Sequence, residues 1–442
     1  MQATTKDKHI RIAQAHWHPD KSVAAVTRFL KRPAIDSAAE DTARTVLAAI
    51  QKEGDAALLR YIKEFDGATL TAKALRVQPR EIHAAREQVD REFKLAATEA
   101  CRRITHFAKA SQQKDWTMSS PKGGLLGERF VPYERVGAYI PGGTAPLAST
   151  ALMTVALAKT AGVPEIVACT PANKHGACNP FLLYALDLAG ATEIYRVGGI
   201  QAIGAMAYGT RSIKAVQKIV GPGGPYVTAA KKLVYGQVAL DSVAGPSEIA
   251  ILADDSAPPD QVAADLLSQA EHGTGQEKVL LVTPSSRLAT KVAAELQRQA
   301  STLSRAAAVR TVLRKGTLLV TVENYEHGIE LINRFAPEHF ELLVHQPRNW
   351  LQKVRCAGAV FVGPWTPECV GDYVAGPSHV LPTGGAAALF SGLTVNDFRR
   401  RMSVVAFTSA DLKEALPVIE AFGRVEGLDG HVRSGQLRFE RP

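Results

Sequence analysis

RVGAYIPGGTAPLASTALMTVALAKTAGVPEIVACT, residues 135–170, decides the fold class. Residues 135–140 form a short β-rich run. Pro141, Gly142, Gly143 and Pro146 break the chain after it, and the small apolar residues of 147–161 then read as a helix. A second β-rich run follows at 165–169. Strand, helix and strand in this order make a βαβ unit, in which the two strands lie parallel and the helix covers them. The 23 residues 136–158 carry no formal charge. Only about twelve of them can be helical, and a bilayer requires about 20. The stretch therefore reads as a loop and a buried helix, not a membrane span.

The same rhythm extends in both directions. A strand is expected at 193–197, with helices at 179–189 and 200–208. Further strands are expected at 247–253, 278–283, 318–322, 340–344 and 359–362, and helices at 259–271, 285–306 and 324–335. This is an α/β protein of two units meeting near 241–247. Residues 20–118 are rich in Ala, Glu, Lys, Gln and Arg, with the clearest helices at 36–65 and 79–111. The Gly/Pro-rich stretch 363–385 reads as a long loop, and 394–442 as a small, mostly helical tail.

With 442 residues the chain is too long for one ordinary core. Its 46% hydrophobic and 21% charged content suits a globular protein in water. The net charge of +9 is spread out; the runs Arg399-Arg400-Arg401 and Lys231-Lys232 are short and lack interleaved aromatics, which favours solvated surface over nucleic-acid binding. Cys101, Cys169, Cys178, Cys356 and Cys369 include no C-x-x-C pair, which points to reduced thiols and a cytoplasmic protein. Cys169, after an apolar run, is a core candidate. The polar residues 1–8 lack the apolar segment of a signal peptide.

Four places carry candidate chemistry. In Ser268-Gln269-Ala270-Glu271-His272-Gly273, Gln269 and His272 share a face at the end of an amphipathic helix that Gly273 stops. Such a helix end suits a metal or a polar ligand, or simply a histidine favoured by the helix dipole. Glu338 and His339 adjoin between a helix and a strand, pairing a carboxylate with an imidazole that can move protons near neutral pH. Asp372 and His379 lie in the Gly-rich 363–385 stretch, and Glu426 and His431 in the tail. Gln269, His272, Asp372 and His431 compose an N/O set that zinc accepts, but spacing alone does not assemble ligands so far apart. Residues 197–201, Val-Gly-Gly-Ile-Gln, and the turn 221–224, Gly-Pro-Gly-Gly, read either as phosphate cradles or as plain turns.

Taken together these motifs resemble the histidinol dehydrogenase family, zinc enzymes of the last two oxidations of histidine biosynthesis. The resemblance rests on 136–143 (VGAYIPGG), 197–202 (VGGIQA), 244–248 (AGPSE), 268–273 (SQAEHG), 336–339 (APEH), 371–373 (GDY), 379–382 (HVLP) and Glu426 with His431, in the family's order over roughly 30–435. It implies two incomplete Rossmann-like domains of the aldehyde-dehydrogenase type, a helical N-terminal segment and a C-terminal dimerisation tail. The implied division is an arm at 1–35, a metal and catalytic domain from 36–135 with 248–393, an NAD-binding domain at 136–247, and a tail at 394–442 exchanged between the subunits of a homodimer. It implies one zinc per subunit on Gln269, His272 and Asp372, with His431 supplied by the partner subunit. Glu338 and His339 match the catalytic acid–base pair. Ser247, Gln269, His272, His339, Asp372, His379, Glu426 and His431 match contacts to the substrate L-histidinol, and Tyr139, Gln201 and Gly224 match contacts to NAD.

Two positions depart from the family pattern. Gly224 stands where many members have Asn, leaving only backbone to offer NAD. Gly430 precedes His431 where Ala is commoner. A related branch oxidises other small alcohols, such as sulfonated propanediols, on the same framework; Glu426 with Asp372-Tyr373 favours histidinol. A zinc hydrolase using Glu338 as base and a non-catalytic zinc protein are the readings outside the oxidoreductases.

Overall fold

The computed structural model describes residues 10–31, 37–142, 146–242, 245–272 and 275–440. The polar start at 1–8, the helix start at Asp36, Gly143, Ala244 and the helix stop at Gly273 lie outside them.

The opening βαβ unit forms as its composition requires. Arg135–Tyr139 and Glu165–Thr170 pair in parallel, joined through the helix Ala148–Ala161. They centre a parallel five-stranded sheet in the order Glu193–Arg196, Glu165–Thr170, Arg135–Tyr139, Lys218–Val220, Ala239–Leu240. Alternate side chains leave opposite faces. Ile166 and Ala168 enter one core and Val167 and Cys169 the other. Cys169 is fully buried, and burial pushes its thiol up to about 12, so it is an inert core residue.

A second parallel sheet has six strands, ordered Ala13–His16, Thr317–Thr321, Lys278–Thr283, Glu248–Ala253, His339–Leu343, Ala359–Val362. Glu248–Ala253 is wholly buried, with Ile249, Ile251 and Ala253 facing one helical layer and Ala250 and Leu252 the other. Continuous apolar runs are what a strand covered on both faces needs. In the five-stranded sheet, and in the six-stranded sheet once the edge strand Ala13–His16 is set aside, the chain starts in the middle, steps outward one way, then returns to the other side. That order creates a crevice at the reversal, between Arg135–Tyr139 and Lys218–Val220 in one sheet and between Glu248–Ala253 and His339–Leu343 in the other.

Several expectations are corrected by the packing. The helices between 37 and 111 cover the five-stranded sheet: Ala39, Val46, Leu47 and Ile50 pack into one of its cores and Ala97, Ala100 and Ile104 into the other. Grouping 36–135 with 248–393 therefore differs from the observed packing, because these apolar stripes are complementary to the 136–240 layer. Strand Ala13–His16 of the N-terminal arm instead extends the six-stranded sheet. The expected helix at 36–65 divides at Gly54 (φ 57°) into Ser37–Glu53 and Asp55–Tyr61. That at 79–111 divides into Pro79–Gln88 and Arg91–Ser111, the latter capped by Asp90, which accepts from the Phe93 amide at 2.7 Å. The long helix at 285–306 is Ser286–Ala300 followed by Ala306–Lys315.

The tail is mostly helical, as expected, and also contributes a strand. Arg399–Ala406 is a strand, paired antiparallel with Leu125–Pro132, which pairs in turn with Trp116–Ser119. Helices Ser409–Glu426 and Asp429–Gln436 follow. The basic run is used locally: Arg399 donates to the carbonyls of Gln113 and Phe130 at 2.6 Å, Arg400 lies over the Tyr133 ring, and Arg401 pairs with Glu128 at 3.1 Å. No helix among the described residues is long and apolar enough to cross a membrane.

Candidate functional site

The second sheet collects polar groups at the amino ends of its strands. Ser247 and Glu338 immediately precede two neighbouring central strands, and His339 opens one of them. The Glu248 amide donates to Glu338 Oε2 at 3.0 Å. The Glu248 carbonyl lies 3.1 Å from His339 Nδ1. A carbonyl only accepts, so Nδ1 carries the proton and Nε2 keeps its lone pair. Nε2 is buried, has no hydrogen-bond partner, and lies 3.6 Å from Glu368 Oε1.

The helix Pro259–Ala270 delivers Gln269 and His272 to this edge. His272 Nδ1 meets Ser247 Oγ at 2.8 Å. Gln269 is fully buried, yet neither its Oε1 nor its Nε2 has a formed hydrogen bond. Part of the expected 363–385 loop is the helix Glu368–Tyr373, which sets Glu368 and Asp372 one turn apart on one face. His379 Nδ1 lies 3.0 Å from the Asp372 carbonyl and 3.4 Å from its Oδ1, and His379 Nε2 reaches Thr150 Oγ1 at 3.0 Å. Thr150 lies in the first turn of Ala148–Ala161, so this contact joins the two α/β layers at the site.

Burial dominates the electrostatics. It pushes Glu338 well above the usual carboxylate range, helped by the negative charges of Asp372 and Glu368. Burial also lowers His339 to about 4; Asp372 opposes the shift and the charges of His272 and His379 add to it. His339 is thus a neutral base at pH 7 with one free nitrogen. Glu368 is pushed up to about 8 by burial and by Asp372, moderated by Ser268 and Gln269. Burial would raise Asp372 too, but the His379 hydrogen bond and the surrounding imidazoles hold it near 2.

A divalent cation fits this set. Ligating atoms of His339, Glu368 and Asp372 lie within 4.8 Å of one another. Gln269 Oε1, His339 Nε2 and Glu368 Oε1 are buried without hydrogen-bond partners. A folded protein rarely tolerates several such atoms in one place, because each one left unsatisfied costs about 1–3 kcal/mol. An ion and a polar ligand would satisfy them together. Glu368 was missed from the sequence; its only signal was its place four residues before Asp372.

The crevice of the five-stranded sheet takes shape around Tyr139, at the carboxyl end of its strand. Tyr139 Oη accepts from the Gly199 amide at 3.2 Å, at the start of the helix Gly199–Tyr208. Gln201 is buried and donates to Asp66 Oδ2 at 3.4 Å, while its Oε1 has no partner. Asp66, also unforeseen from the sequence, is raised to about 6 by burial, against hydrogen bonds from Gln201 and Gly198. The turn 221–224 begins beside Tyr139. A Cβ on Gly221 would stand 2.1 Å from the Tyr139 carbonyl, so only glycine fits. Asp241 Oδ2 accepts from the Gly221 amide at 2.7 Å and Lys231 Nζ donates to its carbonyl at 3.0 Å, fixing the turn. Gly224 is exposed, and a Cβ there would meet nothing within 4 Å. Room for a side chain exists, so its absence is a property of the sequence and not of the packing.

Within this chain Glu426 and His431 are not brought to the cluster. Both are exposed on the tail helices, and neither side chain has a hydrogen-bond or ion-pair partner among the described residues. Ser247, Gln269, His272, Glu338, His339, Asp372 and His379 do converge.

Behind the cluster, Glu341 faces Asp265, and both carboxyls are raised by burial, Glu341 well above its usual range. Glu341 Oε1 accepts from the Glu368 amide at 2.7 Å. The unfolded chain releases the Glu341 proton above the ordinary carboxylate pKa, whereas the folded chain retains it. Stability contributed here is present at low pH and falls as pH rises toward the raised value. Glu341→Gln keeps an acceptor for the amide and removes the titration. Its apparent melting temperature should exceed the parent's at pH 8 by about 2 °C or more, with the gap closing at pH 5. An equal gap at both pH values, measured by thermal denaturation, would count against this account.

Known proteins resemble this chain in sequence and in fold. The sequence profile of the family described as Histidinol dehydrogenase matches residues 30–439. A histidinol dehydrogenase of Synechococcus sp. is 45% identical over 399 residues, covering 90% of this chain and 92% of that one. That of Geobacillus kaustophilus is 43% identical over 413 residues, covering 93% and 97%. The crystal structure of histidinol dehydrogenase from Elizabethkingia anophelis superposes with a TM-score of 0.92 at 35% identity, covering 97% of this chain and 98% of that one.

Proposed function

The chain belongs to the histidinol dehydrogenase family, and from that premise we propose that it oxidises L-histidinol to L-histidine through a bound aldehyde, using two NAD and one zinc per subunit. The observation that carries the reading is the buried cluster in which Gln269, His339 and Glu368 hold unsatisfied polar atoms beside Asp372 and the Ser247–His272 pair. In this reading Gln269, His272 and Asp372 hold the metal together with His431 of the partner subunit.

When bound, zinc orients the amine and imidazole of the substrate, and NAD accepts hydride. His339 supplies the base for the first oxidation. Its Nδ1 proton is tied to the Glu248 carbonyl, so Nε2 is free to take the alcohol proton. Glu338, anchored by the Glu248 amide, takes a proton from water as it adds to the aldehyde. Ser247 and His379 contact the substrate, and the partner subunit's Glu426 balances its ammonium charge. Tyr139, Gln201 and the Gly224 backbone line the NAD crevice at the carboxyl ends of the five-stranded sheet, where such folds bind nucleotides.

The homodimer belongs to the same proposal. Val418, Phe422, Val425, Leu428 and Phe439 are exposed on the tail. A large exposed apolar patch is costly in water and suits burial against a second copy.

The reading is tested by NADH formation from L-histidinol with and without a chelator. Two NADH per histidinol are expected, lost on chelation and restored by zinc. NADH from a sulfonated propanediol and none from histidinol would select the related branch. Ester or amide hydrolysis without NAD would select a hydrolase.

A further inference from the structure

A second constellation of metal-ligating side chains lies at the opposite end of the six-stranded sheet. Ala13–His16 pairs in parallel register with Leu318–Thr321, His16 facing Thr321, and the Trp17 amide continues the ladder to the Thr321 carbonyl at 2.9 Å. The two chains therefore leave the sheet side by side, and residues two positions beyond the pair, His18 and Glu323, become neighbours. Asn324 then caps the helix Tyr325–Phe335, accepting from the His327 amide at 2.9 Å, so His327 falls in its first turn, four residues after Glu323. Sequence gives no hint of this meeting, because His18 and His327 are 309 positions apart (327 − 18).

The geometry is that of ligands without their ion. Glu323 Oε2 stands 3.9 Å from His18 Nε2 and 3.9 Å from His327 Nδ1, too far for a hydrogen bond to either. The two rings meet edge to face, with centroids 4.6 Å apart and planes at 80°. Ligand atoms from the three residues lie within 4.8 Å of one another. The imidazoles are mostly covered, at 24% and 20% side-chain exposure, and His327 Nδ1 is buried with no hydrogen-bond partner. Asp20 Oδ2 lies 3.6 Å from His18 Nδ1. The Asp20 amide donates to that nitrogen at 3.2 Å, so binding an ion at Nε2 moves the ring proton to Nδ1, where Asp20 Oδ2 can receive it in place of the amide contact.

We propose that His18, Glu323 and His327 form a non-catalytic site for a zinc-type divalent cation. Two imidazole nitrogens and a carboxylate oxygen are a borderline-soft donor set suited to zinc and its neighbours, and poor for magnesium or calcium. Tetrahedral bonds of about 2.0–2.1 Å separate ligand atoms by roughly 3.4 Å, so each carboxylate–imidazole distance must contract by about half an ångström. Glu323 is exposed, leaving a fourth position for water. The site lies about 25 Å from His339, three strands across and six residues along the sheet. Its effect is to tie Ala13–His16, an edge strand of only four residues, to the strand and helix beside it.

Zinc bound per subunit, measured by elemental analysis after dialysis of the full-length protein against zinc, tests this independently of the catalytic reading. Two equivalents are expected for the parent and one for Asp372→Ala. One is expected for His18→Ala or His327→Ala, with histidinol oxidation unchanged, and none when Asp372→Ala is combined with His327→Ala. Glu323→Gln, at an exposed position that cannot disturb the core, should weaken zinc binding in the Asp372→Ala background by at least tenfold. Zinc content unchanged by His18→Ala, His327→Ala and Glu323→Gln overturns the proposal. Loss of an equivalent in those variants but not in Asp372→Ala upholds it and refutes the catalytic zinc instead.

Discussion

Glu338→Gln lowers NADH formation from histidinaldehyde by roughly 10²–10⁴-fold, the usual range for removing a general base, and lowers alcohol oxidation much less. The Glu338 carboxylate is buried and held by the Glu248 amide at 3.0 Å. A glutamine carbonyl accepts the same bond, so fold and position are retained while the ability to take a proton is lost. The two bases differ in what they can do. His339 is neutral, with pKa about 4 and an unengaged Nε2. Glu338 is raised well above the usual carboxylate range by burial, helped by the negative charges of Asp372 and Glu368. His339→Asn should show the converse pattern, with alcohol oxidation losing more. Steady-state rates with alcohol and aldehyde as separate substrates check both variants. Equal losses in the two half-reactions for Glu338→Gln would end the division of roles.

Asp372→Ala is expected to abolish both the catalytic metal and turnover. Asp372 is the acidic member of the proposed set, kept ionised by His379, and its removal leaves Gln269 and His272 as neutral ligands from this subunit. Affinity should drop by well over the 10–100-fold typical of changes outside the ligand shell. Elemental analysis reads the metal and NADH formation the turnover. If the partner subunit's His431 completes the site, His431→Ala is equally inactive as a homodimer. Mixing its subunits with Asp372→Ala subunits then yields heterodimers in which one of the two sites is intact. Activity approaching half that of the parent is expected in isolated heterodimers. Inactive heterodimers, shown to have formed, would rule out a shared site.

The parts of the site that could be read from the chain are those carried by short segments. Gln269 and His272 stand on one helical turn, Glu338 and His339 are adjacent, and Tyr139 ends a strand visible in its apolar run. Glu368 was not legible, because 363–385 is rich in Gly and Pro and the six-residue helix inside it is too short to show a period. Asp66 was hidden in the same way, at the end of a helix whose break at Gly54 the Ala-rich composition conceals. The N-terminal helices are legible as helices, but the layer that buries them is not. An amphipathic stripe states that it must be buried and does not name the surface that buries it.

By itself the sequence determined the α/β rhythm, the parallel sheets it imposes and the identity of the reactive side chains, since each depends on residues a few positions apart. Only the tertiary structure decided that Ser247, Glu338 and His339 stand at the amino ends of neighbouring strands, where Gln269 and the helix of Glu368 and Asp372 join them. It also brought His18 to Glu323 and His327 at the other end of the same sheet. Strand order and register fix those meetings, and both are set by how whole layers bury their apolar faces, a sum over distant contacts that no short window of residues contains.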